Sequence, residues 1–176
     1  MIENYFPQGL ALGPAFIGRK AEKSWLLQNI TQRHHTVLVA PRRFGKTSLV
    51  LNAFNAQKIP FCELNFHLIV SAKSVEKKVI DGVLNIMNQF VSTPEYKLKV
   101  MRSFFVRAKK KWSIGFKDII GLELLPDEHS NSADNIYTAL LLLDELLGKK
   151  KSKAVFFMDE MQELSKIAES FQIEGA

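Results

Sequence analysis

The chain has 176 residues, of which 47% are hydrophobic and 24% charged, with a formal net charge of +6. These values are those of a soluble globular protein and exclude a disordered or fibrous chain. No apolar run reaches the ~18 residues of a membrane span, and residues 1–9 lack the features of a signal peptide. The one cysteine, Cys62, excludes an internal disulfide framework and fits a reducing compartment. We therefore expect a single cytoplasmic domain over residues 1–176, with Cys62 in its core and no membrane partner.

Residues 1–57 predict a lead-in, a helix, a strand and a second helix. The lead-in, residues 1–15, carries four turn-forming residues, Pro7, Gly9, Gly13 and Pro14. The first helix follows Arg19 and runs to about Arg33, and its predicted buried residues are Trp25, Leu26 and Ile30. The strand is the apolar run 36–40, which we expect to be buried, and the second helix runs from about 46 to 57.

Residues 59–110 predict a second strand followed by two helices. The strand covers 59–66, with Pro60 at its start. The next helix covers 74–91 and has a strong apolar stripe, formed by Val75, Val79, Ile80, Val83, Leu84 and Met87. The triplet Thr93-Pro94-Glu95 is typical of a helix start, because an N-cap residue is followed by proline and an acid. That helix runs to about Lys110.

Residues 112–171 predict a hairpin, a helix, a strand and a final helix. The hairpin strands are 112–116 and 119–125, with Lys117-Asp118 as the turn. The helix covers 133–147, and its apolar stripe is Ile136, Leu140, Leu143 and Leu147. The strand 154–160 is apolar until it ends in two acids, which is typical of a buried parallel strand. Residues 161–171 continue with helical spacing.

The run 40–48 has the pattern of a phosphate-binding P-loop, with Ala40 in place of its first glycine. Backbone N–H groups of residues 43–47 can surround phosphate oxygens, and the helix N-terminus directs its positive dipole toward them. Lys46 adds a full charge for the β- and γ-phosphates, and the Thr47 hydroxyl can bind Mg²⁺. The predicted phosphate-binding residues are Ala40, Pro41, Arg42, Arg43, Phe44, Gly45, Lys46, Thr47 and Ser48.

The acids that end strand 154–160 form a Walker B pattern. Asp159 would hold Mg²⁺ through water or Thr47, and Glu160 would polarise the water that attacks the γ-phosphate. Ligands of open α/β sheets bind at the carboxyl ends of strands, where these acids lie. We therefore predict Glu160 and Lys46 as catalytic residues, and Thr47 and Asp159 as metal-binding residues.

Three segments together resemble the archaeal-type ATPases, P-loop proteins of the AAA+/STAND group that are related to origin-recognition ATPases. The segments are Phe-Ile-Gly-Arg at 16–19, Ala-Pro-Arg-Arg-Phe-Gly-Lys-Thr-Ser-Leu at 40–49, and Phe-Met-Asp-Glu-Met-Gln-Glu-Leu at 157–164. Lys20 departs from the glutamate usual in that family. The resemblance implies a three-layer α/β/α P-loop NTPase fold with a parallel sheet and an inserted β-hairpin, and ATP and Mg²⁺ as ligands. It further implies that Asn65 restrains Glu160, and that the adenine lies against Phe16, Ile17, Gly18 and Arg19.

The resemblance also implies further chain beyond the Walker B strand, with more strands, a sensor residue, a helical lid and often a winged-helix domain. The family's sheet order, 5-1-4-3-2, places one of those later strands between the P-loop strand and the Walker B strand. We therefore expect a fold that is incomplete at its C-terminus. The P-loop strand would then pair directly with the Walker B strand, or the chain would need a partner or fold poorly.

The leading hypothesis is an ATP-binding module that hydrolyses ATP with Mg²⁺. One alternative is a nucleotide-gated regulatory module with little or no turnover. Another is a DNA-associated module, because basic runs lie at 107–111 and 149–153; solvated lysines that complement helix dipoles also explain both runs. A DNA partner, a protein partner and a homo-oligomer stay open.

Overall fold

The computed structural model describes residues 9–41, 43–90, 112–117, 121–126 and 131–167. They form a mixed α/β structure with several helices and a small parallel two-stranded sheet. In chain order the elements are a 3-10 helix (Gly13–Ala15), α1 (Lys20–Thr31), α2 (Lys46–Gln57), β1 (Phe61–Asn65), α3 (Ala72–Phe90), β2 (Trp112–Lys117), β3 (Gly121–Pro126), α4 (Ser132–Lys150) and β4 (Val155–Asp159). Residues 163–167 are also helical. The chain divides into two compact units, with the boundary between Phe61 and Cys62.

The first unit is built on α1 and α2, which pack against each other. Its buried apolar side chains are Leu26, Leu49, Val50, Ala53 and Phe54. The prediction that Trp25 is buried is wrong, since half of that side chain is exposed. Trp25 and Leu26 are about 100° apart around the helix, so only one of them can face α2 squarely. Leu26 takes that position.

The predicted buried strand at 36–40 is not formed. Residues 34–41 have no regular secondary structure. Val37 is 84% exposed and Val39 is 90% exposed. A strand requires a neighbouring strand that pairs its backbone N–H and C=O groups, whatever the apolar content of the run. The described part of the first unit supplies no such strand, and the sequence pattern alone could not reveal this.

The second unit has its core between the β1–β4 sheet and two helices. Cys62 and Leu64 of β1 are buried, as are most of the predicted apolar stripe of α3 and residues Ala139, Leu143 and Leu146 of α4. Burial raises the pKa of the Cys62 thiol, with smaller contributions from nearby carboxylates. The predicted core position of Cys62 is therefore confirmed. The prediction for Leu140 is wrong, because α4 turns the row of Ala139 inward and leaves Leu140 38% exposed.

Gly82 allows α3 to approach the sheet closely. A Cβ atom added at this residue would lie 2.6 Å from Leu64 Cδ2 and 3.1 Å from Cys62 Sγ. Both distances are shorter than van der Waals contact, so no larger residue fits without a shift of the helix or the sheet. The packing distance between α3 and β1 is thus set by the absence of one side chain.

A buried carboxylate joins the N-terminal parts of α3 and α4. Glu76 of α3 is 0% exposed. Its carboxylate accepts hydrogen bonds from Ser132 Oγ at 2.7 Å and from Asn135 Nδ2 at 2.5 Å. Lys73 Nζ lies 3.2 Å from the same carboxylate. The charge is therefore compensated inside the unit, as a buried carboxylate requires.

The predicted hairpin is confirmed, with one difference in its turn. β2 and β3 pair antiparallel from Trp112 opposite Pro126 to Lys117 opposite Gly121. Lys117 is therefore the last paired residue of β2 rather than part of the turn. The helix predicted for 93–110 lies outside the described residues.

Candidate nucleotide-phosphate site

The P-loop segment belongs to the first unit and ends in a left-handed turn. Gly45 is the N-cap of α2, with φ 71° and ψ 26°. Arg43 also has a positive φ, 63°. The Phe44 N–H donates to Pro41 O at 3.4 Å, and the first helical bond runs from Leu49 N to Gly45 O at 2.9 Å. The helix thus begins directly behind a tight turn, and its first N–H groups and its dipole face the loop.

Lys46 is turned back across this loop. Its Nζ donates to Ala40 O at 2.9 Å, so the ammonium lies at the residue where the P-loop pattern begins. The acceptor is a neutral carbonyl, which leaves the positive charge of Lys46 uncompensated by this bond. An ammonium has three donors, and those not used on Ala40 are suited to an anion at the loop.

Arg19 reaches the same loop from the start of α1. Its Nη1 donates to Phe44 O at 2.9 Å, and its Nε pairs with Glu22 Oε1 at 3.2 Å. The pKa of Glu22 is lowered by a hydrogen bond from its own backbone N–H and by the Arg19 hydrogen bond. The resemblance implied that Arg19 contacts adenine; its guanidinium lies at the Phe44 carbonyl of the predicted P-loop segment.

The other residues that the resemblance places near the adenine base are half-buried or exposed. Phe16 is half-buried, and its N–H donates to Gly13 O at 3.0 Å. Ile17 is 72% exposed. Gly18 has φ 82°, a left-handed conformation that suits glycine. Of the loop residues, Pro41, Arg43 and Phe44 are exposed and Thr47 is half-buried, while Arg42 lies outside the described residues.

Ser48 and Asn52 were not predicted in the role that the structure gives them. Both lie on one face of α2, four residues apart, and both are buried. Ser48 Oγ accepts from Ala11 N at 3.1 Å, and Asn52 Oδ1 accepts from Gly13 N at 2.9 Å. Two buried polar residues at this spacing on an apolar helix face were the available signal, because such groups need hydrogen-bond partners.

The predicted acids belong to the second unit, at the carboxyl end of β4. Asp159 Oδ1 accepts from Glu160 N at 3.0 Å, and Glu160 has a left-handed φ of 55°. Gln162 Nε2 donates a hydrogen bond to the Glu160 carboxylate. Asn65, which was expected to restrain Glu160, accepts with its Oδ1 from His67 N at 2.8 Å.

The sheet sets the position of these acids. β4 runs parallel to β1, and Phe66 N donates to Asp159 O at 3.0 Å just beyond the end of β1. The carboxyl ends of both strands therefore meet at one edge, as the Walker B interpretation requires. β4 is less buried than predicted, with Met158 42% exposed.

The part of the chain that the structure describes includes no group of three or more His, Cys, Asp and Glu side chains that could hold a metal ion. Mg²⁺ at a nucleotide site needs fewer protein ligands, because phosphate oxygens and water complete its shell. In the same residues no helix combines the length and apolar character needed to span a bilayer.

One predicted basic run falls at the end of α4. Lys149 and Lys150 lie in its last turn, where cations complement the helix dipole. The other run, 107–111, lies outside the described residues.

No protein family, curated protein or solved structure that was compared with this chain matches it.

Proposed function

We propose that this chain is an ATP-binding P-loop module that hydrolyses ATP with Mg²⁺. One observation carries the proposal: α2 begins on Gly45-Lys46-Thr47, with Gly45 left-handed and the Lys46 ammonium turned back to Ala40 O at 2.9 Å. A helix N-terminus, a left-handed turn and an ammonium on one loop together favour a multiply charged phosphate ligand.

In this proposal the loop holds the phosphates and the Thr47 hydroxyl is a ligand of Mg²⁺. Asp159 and Glu160 have the chemistry of Walker B acids, one carboxylate for Mg²⁺ and one that polarises water. The proposed architecture is the three-layer α/β/α fold of AAA+ P-loop NTPases. The pairing of β4 with β1 supports it, since the order 5-1-4-3-2 places the Walker B strand beside the strand that follows the P-loop helix.

The substitution Lys46→Gln tests nucleotide binding. The matched control is Lys58→Gln, which removes one exposed positive charge at the other end of α2, about 18 Å away along the axis. We expect Lys46→Gln to weaken ATP binding at least 10-fold, since a charge-assisted hydrogen bond contributes about 1.5–3 kcal/mol. Lys58→Gln should leave the affinity unchanged. Equal ATP affinity of Lys46→Gln and the native chain, measured by titration calorimetry, would count against the site.

A second candidate is an ATP-gated module with little turnover. The observation that favours it is the hydrogen bond from Gln162 Nε2 to the Glu160 carboxylate, which occupies the group that would polarise water. Steady-state phosphate release by the native chain, Glu160→Gln and Gln162→Ala separates the two candidates. Hydrolysis predicts that Glu160→Gln loses release. Gating without turnover predicts the same low release from all three proteins while ATP binding persists.

A further inference from the structure

Asn52 joins α2 to the lead-in through both ends of its side-chain amide. Its Nδ2 donates to Ala11 O at 2.8 Å, and its Oδ1 accepts from Gly13 N at 2.9 Å. Nδ2 also donates to Ser48 O at 2.7 Å. The amide therefore pairs with the backbone of the lead-in as a neighbouring strand would, and it fixes both the position and the register of residues 11–13.

The needs of α2 itself do not explain an asparagine at this position. Asparagine is a poorer helix former than alanine or leucine, and its neighbours Ala53 and Phe54 are buried apolar residues. An amide with only 8% exposure is unfavourable unless its donor and acceptor are both bonded. The asparagine attaches the lead-in to α2 through its side-chain hydrogen bonds, which an apolar residue could not make.

Residues 13–19 connect this attachment to the P-loop. From Gly13 the chain makes one 3-10 turn, Gly13–Ala15, and reaches Arg19, whose Nη1 donates to Phe44 O at 2.9 Å. Residues 14–18 are thus held at both ends against the same helix and loop. Asn52 lies about 9 Å along the axis of α2 from Lys46, so the two attachments are well separated.

We propose that Asn52 is a positioning residue that holds residues 14–18 as the nucleoside-side wall of the nucleotide site. This inference rests on the proposed ATP function. The wall contains the half-buried Phe16 and the exposed Ile17, which offer apolar surface to a base. Asn52 bonds only backbone atoms. Its one bond to the predicted phosphate-binding run 40–48 goes to the Ser48 carbonyl, which lies within its own helix. Its loss should therefore affect recognition of the nucleoside and spare recognition of the phosphates.

The test compares two ligands, ATP and inorganic tripolyphosphate, each with Mg²⁺, on native chain and variants by titration calorimetry. We expect Asn52→Ala to weaken ATP binding at least 10-fold and to change tripolyphosphate binding less than 2-fold. The control is Asn55→Ala, which removes the same amide from the exposed side of α2 and should change neither. A residue that merely stabilised the fold would weaken both ligands alike.

A second variant keeps the test informative where Asn52→Ala fails to fold. Asn52→Leu keeps a similar side-chain volume and improves helix propensity while it removes the bonds to Ala11 O and Gly13 N, so it should show the same ATP-selective loss. Equal losses for both ligands, or unchanged ATP affinity in both variants, would overturn the inference and leave the proposed function standing. Absence of ATP binding by the native chain would overturn the proposed function and, with it, this inference.

Discussion

Arg19 and Phe44 are joined by a hydrogen bond from Nη1 to the Phe44 carbonyl oxygen, 2.9 Å long. The bond connects the start of α1 with the loop that precedes α2, although the two residues are 25 positions apart in sequence. A Cβ atom added at Gly45 would lie 3.8 Å from the same Nη1, so the guanidinium directly adjoins the left-handed turn. Arg19 thus holds the loop at Phe44, directly before the left-handed turn at Gly45.

Replacement of Arg19 by alanine should weaken ATP and tripolyphosphate binding to a similar extent, about 3- to 10-fold. The reason is that the lost bond stabilises the loop on which both ligands depend, and a charge-assisted hydrogen bond at a partly exposed site contributes about 1 kcal/mol. Arg19→Lys is the matched variant, because it retains the charge and removes the second donor that reaches Glu22. Titration calorimetry with both ligands measures the effect; selective loss of ATP alone would contradict it.

Gly82→Ala should destabilise the second unit by about 1–2 kcal/mol. The added Cβ would lie 2.6 Å from Leu64 Cδ2, and such overpacking costs about 1–3 kcal/mol. The better helix propensity of alanine offsets about 0.5–1 kcal/mol of this cost. Urea denaturation followed by circular dichroism gives the change in unfolding free energy.

Gly148→Ala is the control for Gly82→Ala. Gly148 also lies within a helix, α4, and a Cβ there would meet no atom within 4 Å. It should therefore be neutral or stabilise by up to about 1 kcal/mol. The same sign for both variants would show that the close approach of α3 to β1 is not a constraint.

Removal of the Glu76 carboxylate should be among the most destabilising single substitutions in the second unit. Glu76→Ala would remove the carboxylate that accepts from Ser132 Oγ and Asn135 Nδ2 and that pairs with Lys73. We expect a loss of about 3 kcal/mol. Glu76→Gln preserves the shape and one acceptor and should lose less.

The control for Glu76→Ala is Asp144→Ala, which removes an exposed carboxylate from α4 and should change the unfolding free energy by less than about 0.5 kcal/mol. Urea denaturation measures all three variants. A Glu76→Ala protein as stable as the Asp144→Ala protein would show that the buried hydrogen bonds contribute no net stability.

Local patterns in the sequence predicted the helices of the described residues with good accuracy. The predicted helix 46–57 is observed as α2 (Lys46–Gln57), and the predicted 74–91 is observed as α3 (Ala72–Phe90). Helical spacing is read from neighbours three and four residues apart, which the sequence contains in full. The hairpin was predictable for the same reason, since its two strands are adjacent in the chain.

The absence of a strand at 36–40 could not be predicted from local patterns. The run has the composition of a buried strand, yet Val39 is 90% exposed and the segment has no strand structure. The pairing partner of a strand is a distant segment, and no local pattern records whether that partner is present.

The sequence by itself determined the helices, the core position of Cys62 and the Gly45-Lys46-Thr47 start of α2, because each depends on residues close together in the chain. Only the tertiary structure decided that Arg19 bonds the predicted P-loop segment, that Asn52 holds the lead-in, and that Gly82 sets the distance from α3 to β1. These three relationships join residues 18 or more positions apart. They follow from the packing of whole elements, which brings together side chains that local periodicity treats as unrelated.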